Sequence, residues 1–269
     1  MVLYRTIIVF VELFLEETTM NETLETIYSL RSIRKYTEKE ISKEKIEEII
    51  EATIRTANSG GRQVYSIIVI DDRELLDEFF YKANKALVFC VDYNRWMDCA
   101  KHLNHTIEVG DIRGYLLGSD DAIMAAQTAV IAAKSLGIDS LVTTSLLRVE
   151  HKRVFEMLNL PERYCFPLIS ICLGYPEEEP SDLKGRVRKG VVHYNKYQRL
   201  SPEELDELIA EYDEEENNFS SLTNEEIIQE GYRGYLDRYF SQWNGSFDEK
   251  EIKDCYDTLR KIGFFEKLS

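Results

Sequence analysis

The sequence predicts an α+β fold: a central mixed sheet of about four to five strands, surrounded by helices, with a helical C-terminal extension. Three observations predict it. Short runs at Tyr65–Ile70, Ala86–Val91, Ser140–Thr144 and Pro167–Leu173 read as buried strands, and their apolar continuity means a sheet covered on both faces. Helical periodicities alternate with those runs and then take over the chain from Pro202 onward. The glycine-rich fingerprints GxGxxG and GxxxxGK[ST] are absent, so neither a dinucleotide-binding βαβ unit nor a P-loop is expected.

Each element has its own warrant. A helix opens near Thr19, where Glu22 completes a capping box, and runs through Leu24, Ile27 and Tyr28. Ser42 caps a second helix that puts Ile46, Ile49, Ile50 and Ile54 on one face, and Asn58-Ser59-Gly60-Gly61 breaks it. Leu75, Leu76, Phe79 and Phe80 mark a short helix between the first two strands. Residues 92–119 read as irregular or partly helical. Ala122–Leu136 is an Ala-rich helix, apolar almost all round and therefore central, with Gly137 just past its end. A helix carrying Val154, Phe155 and Leu158 stops at Pro161, and Val191–Tyr194 is a candidate closing strand. Helices are expected near 203–212, 224–243 and 248–262.

The chain has 269 residues, enough for one large domain. The expected division is an N-terminal extension or misassigned start over residues 1–19, with Met20 a candidate initiator, a body over 20–200 and an acidic helical extension over 201–269 packed on the same domain. Net charge is −16. Residues 201–269 hold 19 acids against 7 bases, whereas the first 200 residues are nearly balanced. That argues against general nucleic-acid binding, but not against a local phosphate site. The apolar N-terminal stretch is broken by Arg5 and Glu12 and is too short to span a bilayer. Five cysteines without CxxC spacing and four histidines without HExxH spacing form no recognised metal set. A reduced, cytoplasmic protein with no membrane partner is expected.

Three constellations carry chemistry. Arg31, Ser32, Arg34 and Lys35 form one basic cluster; Lys184, Arg186, Arg188 and Lys189 form another. Guanidinium forks beside a hydroxyl match a phosphate, although a solvated patch has the same composition. Asn58, Ser59 and Gln63 sit in a Gly-rich turn whose amides and hydroxyl can read a heterocycle edge. Thr144 and Ser145 follow a buried strand, where backbone N–H groups are free for a ligand.

In their order along the chain these segments resemble the FMN-dependent nitroreductase family. Leu30–Tyr36 (LRSIRKY) resembles its opening RRSIRKF motif, and Ala57–Tyr65 (ANSGGRQVY) its PSxxNxQPW loop. Asp121–Gln127 resembles the start of its central helix, and Leu136–Asp139 that helix's end. Asn159-Leu160-Pro161, Leu173–Pro176 and Val191–Tyr194 resemble its later landmarks. The chain departs from the pattern at Leu30, Gly61, Val64-Tyr65 and Thr144-Ser145.

The resemblance implies a nitroreductase-like layered fold and an intertwined homodimer with FMN at its interface. Arg31, Ser32 and Arg34 would hold the phosphate and ribityl chain, with Arg186 or Arg188, and Lys184, completing the grip. Asn58, Ser59 and Gln63 would approach from the partner chain. Thr144 and Ser145 would present a backbone N–H to flavin N5. Tyr65, Tyr93 and Trp96 would line the substrate pocket. No side chain is named as catalytic, because the flavin carries the chemistry: NADPH or NADH delivers a hydride, and a nitroaromatic, quinone or similar electron-poor acceptor then takes the electrons in a ping-pong cycle. Two rivals remain: a flavin-binding sensor or carrier without turnover, and an interaction protein acting through the acidic helical tail.

Overall fold

The computed structural model describes residues 21–178, 183–243 and 248–265. The proposed extension over residues 1–19 and the candidate start at Met20 lie outside the described residues.

Among the described residues, four strands form the sheet: β1 (Tyr65–Ile70), β2 (Lys85–Asp92), β3 (Asp139–Thr143) and β4 (Cys165–Gly174), in the spatial order β1-β2-β4-β3. All three ladders are antiparallel, so the expectation of a mixed sheet reduces to one parallel bridge, Ser32 to Ser140, on the outer edge of β3. The first helices are α1 (Glu22–Tyr28), α2 (Lys43–Thr53), α3 (Arg73–Phe79), α4 (Asn94–His102) and α5 (Ile112–Ser135). After β3 come a 3-10 turn (Ser145–Arg148) and α6 (His151–Met157). The last four helices are α7 (Pro202–Asp213), α8 (Asn224–Gln229), α9 (Tyr235–Gln242) and α10 (Glu249–Lys261).

Strand alternation sorts side chains into two layers. On β2, Leu87 and Phe89 face a cluster built with Ile46 and Ile49 of α2 and the alanine stripe of α5. The intervening Ala86, Val88 and Cys90 face Leu76 and Phe80 from α3 and its end and Val154 of α6. The sheet is therefore covered on both faces, as its apolar strands require.

Helix α5 begins ten residues before the expected Ala122. Asp111 caps it, accepting from Gly114 N at 2.8 Å. The glycines that hide this turn from periodicity are there for close packing: a Cβ on Gly118 would meet Val91 Cγ1 at 2.5 Å. Gly137 ends the helix at φ 72°, as expected. Two other expectations fail. The predicted 224–243 helix is split into α8 and α9 where Gly231 adopts φ 92°. Val191–Tyr194 forms no strand; Val191 and Tyr194 are 71% and 76% exposed, with no neighbouring strand edge among the described residues to pair with.

The final helix returns to the body. Leu259, Ile262 and Phe264 pack with Val64, Val91, Tyr93 and Phe166 in a third cluster at one end of the sheet. A polar tie fixes the same junction. Asp254 Oδ2 accepts from His151 N at 2.8 Å and lies 2.7 Å from His151 Nδ1. The His151 ring is buried and stacks on Phe166. Burial pushes the Asp254 carboxyl up, but its hydrogen bonds with the His151 backbone and ring outweigh burial and hold it below the usual range. A depressed carboxyl stabilises the folded state above its unfolded pKa and loses that contribution as pH falls through the folded value. Hydrogen exchange in α10 is therefore expected to accelerate below about pH 4, and His151→Phe to flatten that acid dependence; an α10 equally protected at pH 6 and pH 3 would show that the pair does not hold it.

Candidate functional site

The loop before β1 is organised by a residue that the sequence places at the head of the Ala-rich helix. Asp121 of α5 is 2% exposed. Its carboxylate accepts from Ser59 N at 2.7 Å and from Val64 N at 3.2 Å, tying both ends of the loop to the central helix. Between those ties Gly60, Gly61 and Gln63 adopt φ values of 64°, 71° and 51°. Glycine takes this left-handed region freely, whereas for Gln63 it carries a strain of about 1 kcal/mol. Gln63 is held there by its N–H to Asn58 Oδ1 at 3.4 Å and its Nε2 to Ile54 O at 3.1 Å. From outside, Arg95 donates to the carbonyls of Arg62 and Gln63, and Trp96 Nε1 donates to Arg62 O.

The three residues expected to line a substrate pocket therefore have packing roles here. Trp96 clamps the loop backbone. Tyr93 is 4% exposed, donates to Gly114 O at 2.8 Å and meets Phe264 edge-on. Tyr65 lies in the cluster beneath α5, and burial pushes its hydroxyl up, against the opposing pull of Gln63. Tyr65 and Tyr93 sit at the start of β1 and the end of β2, where ring burial completes the core, whereas Trp96 lies on α4 with its ring exposed.

The Arg31–Arg34 segment occupies the other edge of the sheet. Ile33 N donates to Ser140 O at 2.9 Å, and the Tyr36 hydroxyl donates to Ile33 O at 2.7 Å. This backbone pairing fixes Ser32 and Arg34 as exposed groups and Arg31 as a half-buried one beside the first residues of β3. Asp139, the acid that opens β3, is already paired with Lys134 at 2.7 Å. Arg31 and Arg34 thus place two positive charges on either side of Ser32 at this edge. At the far end of β3, Ser145 N donates to the Thr143 hydroxyl at 3.1 Å, so that N–H is turned inward. Thr144 stays exposed.

The second basic cluster belongs elsewhere. Lys184 Nζ donates to Glu215 O at 2.7 Å, the Arg186 guanidinium lies 5.1 Å from the Phe219 ring, and Arg188 donates to the Tyr194 hydroxyl at 3.0 Å. These contacts hold Lys184 and Arg186 to the C-terminal segment and Arg188 to Tyr194, not to Arg31 or Arg34.

The first two groups stand at diagonal corners. Tyr65 is level with Val91 and Phe166, whereas Ser32 is level with Ser140, Leu173 and Lys85. Four strand spacings across and six or seven residues along separate them, a diagonal of about 30 Å. Asn58, Ser59 and Gln63 therefore cannot share one small ligand with Arg31, Ser32 and Arg34 of the same chain.

The family model described as the nitroreductase family matches residues 27–175, which span both corners. The chain belongs to that family. The NADPH-flavin oxidoreductase of Vibrio harveyi is 35% identical over 196 residues, covering 69% of this chain and 79% of that protein. The oxygen-insensitive NADPH nitroreductase of Salmonella typhimurium is 35% identical over 206 residues, covering 73% and 81%. Among solved structures, B. megaterium NfrA2 superposes with a TM-score of 0.75 at 27% identity, covering 91% of this chain and 99% of its own. The Vibrio harveyi NADPH:FMN oxidoreductase complexed with NAD+ gives 0.70 at 27%, covering 88% and 98%. The likeness to B. megaterium NfrA2, over 91% of this chain, runs well past residue 175. Among the described residues, no helix is long and apolar enough to cross a membrane.

Asp121 is the residue that sequence reasoning passed over, although an acid at the head of an Ala-rich helical run was the available signal. Asp121→Ala leaves two loop N–H groups without their charged acceptor. It is expected to cost about 2–4 kcal/mol in a urea unfolding series and to open residues 58–64 to limited proteolysis. A variant with wild-type stability and an uncut loop would remove the carboxylate from this role.

Proposed function

We propose that the chain is an FMN-dependent oxidoreductase that uses NADPH or NADH to reduce a nitroaromatic, quinone or similar small electron-poor acceptor. The observation that carries this reading is the pair of arginines beside Ser32 at the head of β3, in a chain of the nitroreductase family. The residues fit the cofactor. Two guanidinium groups and a hydroxyl suit a phosphate. Thr144 lies four residues along from Ser140, about 13 Å away, a reach that suits the span from a flavin's phosphate to its ring.

When bound, FMN supplies the hydride and electron chemistry. The chain's own residues do the positioning. Arg31 and Arg34 neutralise the phosphate, Ser32 adds a hydrogen bond, and Thr144 offers its backbone at the ring end. Asn58, Ser59 and Gln63 arrive from a second copy, because the separation of the two corners keeps them from reaching the same ligand within one chain. Val191, Tyr194 and Tyr197, each more than 70% exposed, suit an arm that wraps that second copy. In this assembly Arg186 and Arg188 meet the phosphate only if the arm carries them across. The five free cysteines go with a reducing, cytoplasmic setting.

The test is anaerobic titration of the purified protein with NADPH and then NADH while its visible spectrum is followed. The flavin bands are expected to bleach and to return on adding a nitroaromatic or a quinone. Arg31→Ala is expected to weaken FMN binding by about 1.5–3 kcal/mol. A flavin that binds but does not bleach would favour a carrier or sensor, and an unchanged FMN affinity would remove Arg31 from the site.

A further inference from the structure

Helix α5 holds the Asn58–Gln63 loop and its flanks at three points. Gly118 lies against one end, where a Cβ would come within 3.4 Å of Val64 O. Asp121, about one turn on, takes Ser59 N on one carboxylate oxygen and Val64 N on the other. The hydroxyls of Thr128 and Thr56 meet at 3.1 Å just before the loop. We infer that Asp121 is a positioning residue for the cofactor, an assignment that rests on the two-chain FMN site proposed above. Through its own chain's loop it sets FMN affinity in the site whose phosphate corner belongs to the second copy.

The chemistry of the anchor calls for a carboxylate. Two N–H groups converge on it from the two ends of the loop, and its two oxygens accept one each. An asparagine would accept one of them and turn its own N–H toward the other. Both bonds are charge-assisted. Asp121 is buried, so water cannot replace either of them. The support is rigid, because Ala122, Ala125 and Ala126 of the same helix are packed into the core cluster beside it.

Pinching the ends shapes the outer face. Gly60, Gly61 and Gln63 are held in the left-handed region, and Arg62 closes the tip by donating to Ser59 O at 2.9 Å and to Ser59 Oγ at 2.7 Å. Among the described residues Gln63 Oε1 accepts no hydrogen bond, and no atom lies within 4 Å of the Cβ position of Gly61. The loop therefore presents a fixed polar edge that is open to a ligand. A loop already ordered spares the ligand the cost of ordering it, which otherwise comes out of affinity. Loss of the anchor returns that cost to the site that uses the loop. The Arg31–Arg34 segment of the same chain, about 30 Å away, keeps its pairing with β3.

The experiment titrates FMN into the flavin-free protein and follows the quenching of flavin fluorescence. Asp121→Asn, which keeps the side-chain volume, is expected to raise the FMN Kd about tenfold. Heterodimers separate positioning from a general loosening of the chain. Paired with a chain carrying Arg31→Ala and Arg34→Ala, the Asp121→Asn chain is expected to give one intact FMN site per pair, because its own phosphate corner meets a sound loop. No intact site, or an unchanged Kd in the Asp121→Asn homodimer, would overturn the assignment. A second comparison works from the loop side and covers an Asp121→Asn chain that does not fold. Ser59→Pro removes the N–H that Asp121 accepts, whereas Ser59→Ala keeps it. Asn58, at φ −150° and ψ 166°, already has the extended backbone that a following proline needs. Ser59→Pro is expected to bind FMN about tenfold more weakly than Ser59→Ala, and equal affinities would overturn the assignment. The two readings fail separately. Wild-type FMN uptake with no effect of Asp121→Asn sinks the positioning role alone. An Asp121-dependent FMN site whose flavin NADPH and NADH do not reduce sinks the oxidoreductase reading and keeps the positioning role.

Discussion

The four-stranded sheet imposes the constraint on which the rest of the structure depends. Its register places the Arg31–Arg34 segment and the Asn58–Gln63 loop at opposite corners, about 30 Å apart. Each corner is built firmly for its own reasons. One is zipped to β3 through Ile33 and Ser140; the other is tied to α5 through the buried Asp121 carboxylate. Neither can move toward the other without breaking a ladder or stranding a buried charge, which is among the costliest changes a core can suffer. A site that draws on both corners therefore has to be assembled from two chains.

Much of this fold was legible in the sequence. Strand β1 came out at its observed bounds and β2, β3 and β4 within two residues, because a buried strand has few polar positions and sharp turn signals at its ends. The N-cap at Ser42 and the left-handed Gly137 were equally plain. Three features were not legible. The first turns of α5 contain Gly114 and Gly118, which lower helix propensity but are required by close approach, Gly118 to Val91 of β2 and Gly114 to the Val109 carbonyl. The break between α8 and α9 at Gly231 is a tertiary choice within an otherwise continuous helical pattern. The exposed Val191–Tyr194 has strand-like composition but no edge to join among the described residues, and strand pairing is decided by a neighbour rather than by propensity.

The candidate site was legible to a different degree. The polar clusters were visible as compositions, and their order along the chain identified the family. Their geometry was not visible. Tyr65, Tyr93 and Trp96 look like pocket residues by position, yet ring burial and backbone clamping take them into the walls of the core and the loop. Asp121 and Arg95 were passed over because a single charge in a helix has no periodicity to betray it. Only its partners distinguish it from an ordinary surface charge.

The claim that the cofactor site spans two chains is tested most directly by mixing two defective forms. One chain carries Arg31→Ala and Arg34→Ala; the other carries Asn58→Ala and Gln63→Ala. Each alone should bind FMN poorly. In purified heterodimers one site collects both defects and the other collects none, so the account predicts one intact FMN site per pair of chains. Heterodimers that bind FMN no better than either parent, or a protein whose mass in solution is that of one 31.4 kDa chain with flavin bound, would contradict it.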